Sequence, residues 1–401
     1  MLLIFVPEIT ERVKFTFDVC FNAVSFVPYK LTTDLEFFYA EDCPKFWYNF
    51  EKIDNYFGFI AHNLLFEDKI SASMLKSYFN GDMFAQIFFL ASNYTSYFPE
   101  AQPRFPKRPL INMLVYDKIL TKLKKNFHNF SFQLPMLQHI PTIDVDLAFK
   151  YKYKSFLKTC AWFCRDLLRA DKKALIDRYK VLTKKISDPW DCFDKIIEFH
   201  NKHNVKPIFF FLVGKQGKFD RNIPLDNPEM QAIIKNLDEQ RFEIGLHTSV
   251  GGLSDFENWK TEKESLENLI GKKITKSRQH FIKLNFPESF KNFEKIGIKS
   301  DFSIIDKQNL CFRLGTTVPI KFFDLQSNTI SDLTIVPSAI MDVSLRDYKK
   351  LSVEDAKEAC KRILSYYKQY GGTFVTIWHN ESFSEDGKWA NWNEVYEYII
   401  D

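Results

Sequence analysis

From residue 138 onward, short apolar runs alternate with stretches of helical periodicity. Ile140-Pro141-Thr142-Ile143-Asp144-Val145-Asp146-Leu147 reads as a strand that ends in two carboxylates. A long helical stretch follows, roughly Ser155–Lys185. Asp188-Pro189 then looks like the opening of a helix to about His203, with Asp as cap and Pro in the first turn. Lys206–Val213 carries a continuous apolar run, as expected of a strand buried on both faces. Asn227-Pro228-Glu229 opens a helix to about Gln240, and Phe242–Thr248 is a short strand ending in His247-Thr248. A helix around Thr261–Ile270 leads to a strand that ends in Arg278-Gln279-His280. Pro287–Ile296 is a helix closed by Gly297. A further helix starts at Ser352 and stops at Gly371-Gly372, just before a last strand through Trp378-His379-Asn380-Glu381. Alternating β and α elements with buried strands predict a parallel sheet or barrel.

The first hundred residues have a different texture. Leu2–Val6 and Phe57–Ala61 read as strands, and Asp82–Ala91 has apolar positions at helical spacing. Prolines at 99, 103, 106 and 109 exclude regular helix or central strand there, which marks a linker. Leu110–Asn126 is a helical segment beyond it. The predicted division is a small N-terminal α/β domain (1–108), a connecting helical segment (109–135) and a larger α/β domain (136–401).

The strand ends carry the candidate chemistry. On an extended strand, residues i and i+2 share a face, so Asp144 and Asp146 point the same way. A buried carboxylate pair is costly unless it meets cations, a metal or a shared proton. A solvated strand-to-loop turn explains a lone Asp-x-Asp equally well. Three later strands, however, also finish in groups that bind metals or move protons: His247, Arg278 with His280, and His379. In a parallel α/β barrel the C-terminal strand ends converge on one mouth.

Composition narrows the function classes. The formal net charge of +4 over 401 residues argues for no nucleic-acid role. The seven cysteines are scattered without a C-x-x-C pair, which points to free thiols in a reducing, cytoplasmic setting. No run approaches about 18 consecutive apolar residues, so no spanning helix is expected. The N-terminal apolar run lacks a basic flank and is too short for a signal peptide. Gly214-Lys215-Gln216-Gly217-Lys218 lacks the spacing of a phosphate loop and reads as a polar surface turn.

With these motifs in place, residues 136–401 resemble the polysaccharide deacetylases of carbohydrate esterase family four. Nearly the whole chain is similar to a bacterial subgroup with an extra N-terminal domain, a T-I-D-V-D strand, an R-x-H-F segment and a W-H-N near the C-terminus. The resemblance implies a distorted (β/α)7-8 barrel preceded by a small N-terminal α/β domain. It also implies hydrolysis of N-acetyl groups on sugars with a bound divalent metal, zinc first. The family's first motif is T-F-D-D-G; here Thr142-Ile143-Asp144-Val145-Asp146 keeps the base position at Asp144. Val145 takes the usual ligand position, and an Asp stands one residue later. The second motif is H-[S/T]-x-x-x-H or a shorter form; here His247-Thr248 has no second histidine after it, and His280 is the candidate to replace it.

The resemblance therefore implies Asp144 as base, Arg278 as its orienting partner and His379 as acid. Asp146, His247 and His280 would be the metal ligands. Arg313, Asp342, Asn380 and Glu381 are candidates for substrate binding, with a salt bridge for Arg313 and a cap for Asp342 as plain alternatives. The expected partner is an N-acetylated sugar or glycan, lipid-linked in one version. Two other readings stand beside it: an inactive deacetylase-fold protein that binds glycan, and a glycosidase with two carboxylates. Finally, residues 150–185 hold twelve Lys/Arg against three Asp, a local excess of +9, interleaved with aromatics. That pattern fits either a peripheral membrane contact, at the inner face of the membrane, or a solvated helix packed with its apolar stripe inward.

Overall fold

The computed structural model describes residues 1–67, 81–97, 113–128, 130–310 and 312–401. The expected proline-bearing linker and Cys311 lie outside the described residues. The chain is a mixed α/β protein with parallel-rich sheets. Its strands are β1 (Leu2–Phe5), β2 (Tyr29–Thr32), β3 (Lys45–Asn49), β4 (Gly58–Ile60), β5 (Leu137–Val145), β6 (Ile208–Phe211), β7 (Glu243–Thr248), β8 (Lys276–Gln279), β9 (Ser300–Asp301), β10 (Ile320–Asp324), β11 (Thr329–Ile335), β12 (Ile340–Met341) and β13 (Gly372–His379). Among the described residues no helix is long and apolar enough to cross a membrane.

The chain forms two compact units that do not follow chain order. The first holds Met1–His139, Leu284–Ile340 and Arg362–Val375; the second holds Ile140–Lys283, Met341–Lys361 and Thr376–Asp401. In the first unit, β2-β1-β3-β4 make a sheet in which β1 pairs in parallel with both β2 and β3. All four residues of β1 are buried, as its unbroken apolar sequence requires. An aromatic core packs on this sheet: Phe17 stacks on Phe84 at 4.6 Å and meets Tyr48 edge-on at 5.7 Å. The Phe84 helix, Met83–Ala91, is capped by Asp82, which accepts from the Ala85 N–H and from the Tyr48 hydroxyl.

In the second unit β5, β6, β7 and β8 lie side by side and parallel. The register sets Asp144 beside Phe210, Phe210 beside Gly245, and His247 beside Arg278. The C-terminal ends therefore finish at one level, which is where open α/β sheets and barrels carry their chemistry. Thr142 Oγ1 donates to the Thr376 carbonyl at 2.6 Å, which brings the end of β13 against β5. Gly245 has to be glycine: a Cβ there would lie 2.5 Å from the Phe210 ring. That ring is the floor on which the Arg278 guanidinium rests, 4.6 Å from its centroid.

Two local expectations change. The single helical stretch over 155–185 is two helices, Phe156–Leu168 and Lys172–Leu182, broken where Ala170 turns to φ +53°. Asp171 then caps the second helix through the Ala174 N–H. Asp188 does not open a helix either; the next helix starts at Phe193. Its buried carboxylate instead accepts the N–H groups of Lys150, Tyr151 and Lys152 at 2.7, 2.7 and 3.1 Å. Those three successive donors leave the end of β5 without a strand or helix partner, and a buried carboxylate answers that demand more fully than one cap would.

Candidate metal and catalytic site

Four strand ends of the second unit, those of β5, β7, β8 and β13, build the site. β5 delivers Asp144 at its buried end and Asp146 just beyond. Arg278, fully enclosed on β8, donates through Nη1 to Asp144 Oδ1 at 2.6 Å and to Thr142 Oγ1 at 2.7 Å. A guanidinium so placed holds the Asp144 carboxylate in one orientation.

Asp146, His247 and His280 come together, one ligand atom from each lying within 4.8 Å of the others. His247 Nε2 is 3.0 Å from Asp146 Oδ1 and 3.8 Å from Asp144 Oδ2. His280 Nε2 is 3.4 Å from Asp146 Oδ2. The far nitrogen of each ring is already engaged. His247 Nδ1 lies 2.8 Å from the Arg278 carbonyl, which can only accept, so Nδ1 carries a proton and Nε2 is the nitrogen turned toward Asp146. His280 Nδ1 is 2.8 Å from Asp220 Oδ1. Asp220 is itself fixed by the N–H groups of Val250 and Gly251, both at 2.9 Å.

This donor set fits a divalent cation. Asp146 Oδ1 is buried and makes no hydrogen bond, despite the nearness of His247 Nε2. A ring nitrogen and a carboxylate oxygen that face each other without a hydrogen bond can share one cation. Two imidazoles and one carboxylate are a common ligand set for zinc and similar ions. Carboxylate–histidine and carbonyl–histidine pairs behind the ligands are the usual orienting partners. Burial alone would raise the Asp146 carboxyl, but the facing His280 and His247 hold it well below the usual carboxylate range. Burial lowers His280, yet Asp146 and Asp220 outweigh it and bring the ring up to about 9.

Across from this cluster β13 ends in His379. Its Nδ1 lies 2.9 Å from Asp342 Oδ1 and its backbone N–H donates to Asp342 Oδ2 at 2.9 Å. Ser382 Oγ also donates to Asp342. His379 Nε2 is left pointing toward Asp146 Oδ2, 3.9 Å away. Burial pulls the His379 ring down, but the enclosed Asp342 charge overrides it and holds the imidazolium well above the usual range. Glu381 has a buried Oε2 with no hydrogen-bond partner, and burial pushes its carboxyl up to about 7. Asn380 is wholly buried and donates to the Trp190 and Leu147 carbonyls. Arg313 belongs to the first unit, where it is exposed and donates to Ser96 Oγ at 3.3 Å.

Sequence reasoning missed Asp220, Ser382 and the buried Glu262 that accepts from the Ser249 hydroxyl and N–H. Asp220 stands in the loop after β6, just past the Gly214–Lys218 stretch that reads as a polar surface turn.

A family of unknown function (DUF7033) matches residues 2–111. No curated protein matches the chain. The chain is similar to solved polysaccharide deacetylases. One from Mycobacterium smegmatis is 15% identical over 65% of this chain and 83% of that one, with a TM-score of 0.41. The second, from Bacillus cereus, is 13% identical over 52% and 79%, with a TM-score of 0.31. A pseudoenzyme of the same esterase family from Bacillus anthracis is 11% identical over 53% and 58%, with a TM-score of 0.30.

Proposed function

We propose that the chain is a metal-dependent hydrolase that removes the N-acetyl group from a sugar or glycan, on a deacetylase-type barrel. The observation that carries this reading is the cluster of Asp146, His247 and His280, with both Nδ1 atoms tied down and both Nε2 atoms turned inward. Flanking it are one carboxylate paired with arginine and one imidazole paired with aspartate. An amide hydrolase needs those two groups, a base for water and an acid for the leaving amine.

A divalent cation, zinc first, held by Asp146, His247 and His280 would polarise the acetyl carbonyl and acidify water at the site. Asp144 takes a proton from the attacking water as the C–O bond forms, and Arg278 keeps its carboxylate aimed. His379 gives its Nε2 proton to the sugar nitrogen as the C–N bond breaks, leaving acetate and a free amine. Asp342 holds Nδ1–H and so keeps the ring oriented and charged. Glu381, at the same strand end, is placed to accept a sugar hydroxyl. Dipole and charge placed before the reaction are worth more here than in water, because the pairs are buried.

The test is acetate release from N-acetylated oligosaccharides by metal-free and zinc-reconstituted full-length chain. Release that needs metal and disappears in Asp144→Asn supports the reading. Glycan binding without any acetate, at full metal loading, replaces it with a carbohydrate-binding role.

A further inference from the structure

The helices Phe156–Leu168 and Lys172–Leu182 form a hairpin in the second unit. A buried ion pair fixes its inner side: Arg178 Nη2 donates to Asp166 Oδ2 at 2.6 Å, and both side chains are almost wholly enclosed. The same guanidinium lies over the Tyr151 and Trp162 rings, at 4.7 and 5.4 Å. With 162, 166 and 178 facing inward, the opposite side of the first helix faces solvent, and it is apolar. Phe156 and Leu157 are each 80% exposed, Leu167 68% and Leu168 87%. Positions 157, 161, 164 and 168 follow i, i+4, i+7 and i+11, so they form one stripe along the helix. Ile176 adds to the exposed apolar surface from the second helix. Arg169, Lys172, Lys180, Lys184 and Lys185 are exposed on the same hairpin and its exit.

A helix that merely covers a core turns its stripe inward; here the stripe is outward, and exposed cations share the hairpin with it. We propose that this hairpin is an interfacial anchor that seats the chain on an anionic lipid surface. Side chains exposed to this degree project from a ridge, and a ridge enters a fluid headgroup layer without a matching groove. A second copy of the chain is the poorer occupant, because its own +9 segment would face the first. The anchor is independent of the deacetylase reading. Lys150 and Lys173 both pair with Asp386, seven residues past the end of β13, so the hairpin is tied to the loop that follows the His379 strand end.

The test uses full-length chain sedimented with phosphatidylcholine vesicles, with and without phosphatidylglycerol, at low and at high salt. The chain should pellet with the anionic vesicles at low salt and come off as screening rises. Each cation at the surface is worth roughly fivefold in partitioning, so Lys172→Gln, Lys180→Gln, Lys184→Gln and Lys185→Gln combined should weaken it on the order of a hundredfold or more. Leu157→Ser with Leu168→Ser should weaken it too, with an unchanged melting curve. Absence of pelleting at low salt, equal pelleting with neutral vesicles, or a stripe found to drive self-association would each overturn the anchor. The wild-type arms alone decide this even where a variant fails to fold.

Discussion

Replacing Asp220 by Asn tests the orientation of the proposed metal ligands from behind. The carboxylate accepts three hydrogen bonds, from His280 Nδ1 at 2.8 Å and from the Val250 and Gly251 N–H groups at 2.9 Å each. An amide with its oxygen toward His280 and Val250 turns an NH2 toward Gly251 N–H, so the stability loss should be about 1–3 kcal/mol for one unpaired donor. The effect on metal is separate. Losing a charged partner behind a ligating imidazole typically weakens affinity about 10–100-fold, or roughly 1.4–2.7 kcal/mol. Proton competition gives this loss a pH signature. In the metal-free chain burial lowers His280, but Asp146 and Asp220 hold it at about 9, so near neutral pH the metal must displace a proton. Removing the Asp220 charge lowers that pKa and eases the displacement, which masks part of the loss at neutral pH. The gap between wild type and Asp220→Asn should therefore widen as pH rises toward 9. Competition titration against a chromophoric chelator, across that range, measures it beside a denaturant melt. Affinity within about twofold of wild type at every pH, in a folded variant, would refute the orienting role; the expected loss is tenfold or more.

Asp144→Asn should lower kcat for acetate release by about 10²–10⁴-fold while metal content stays at the wild-type level, read by turnover and elemental analysis together. His379→Ala should lower kcat with little change in KM, since its proton is needed only as the amine leaves. Asp342→Asn removes the charge that holds His379 protonated, so the alkaline limb of the kcat profile should move to lower pH; an unmoved limb would contradict the pairing. Arg178→Met removes one of the two guanidiniums on the buried Asp166, Arg165 keeping the other at 2.6 Å; the lost charge-assisted hydrogen bond should cost about 1.5–3 kcal/mol, visible as faster hydrogen exchange across both hairpin helices.

Much of the site was legible because strand ends concentrate chemistry. Asp144, Asp146, His247, Arg278, His280 and His379 each stand at the end of a strand read from the sequence, and parallel strands must bring such ends to one level. His280 could be named as partner of His247 because the strand after β7 also ended in an imidazole. What the chain order does not carry is the direction of loop side chains. Asp220 stands nine residues after the end of β6, and nothing local says it turns back to His280. Asp188 satisfied a cap pattern in sequence, but three backbone donors 36 to 38 residues earlier claim it instead. The break at Ala170 has no proline or glycine to announce it; Asp171 capping the next helix is its only local signal. Likewise the outward face of the 156–168 helix depends on Asp166 meeting Arg178 twelve residues on, and spacing along one helix does not reveal which side is clamped.

The central claim is that Asp146, His247 and His280 hold one divalent metal. Elemental analysis of wild type, His247→Ala and His280→Ala, each dialysed after zinc loading, tests it most directly. The account expects about one zinc per wild-type chain and close to none in either variant. Equal metal in all three proteins, or none in a folded wild type, would contradict it.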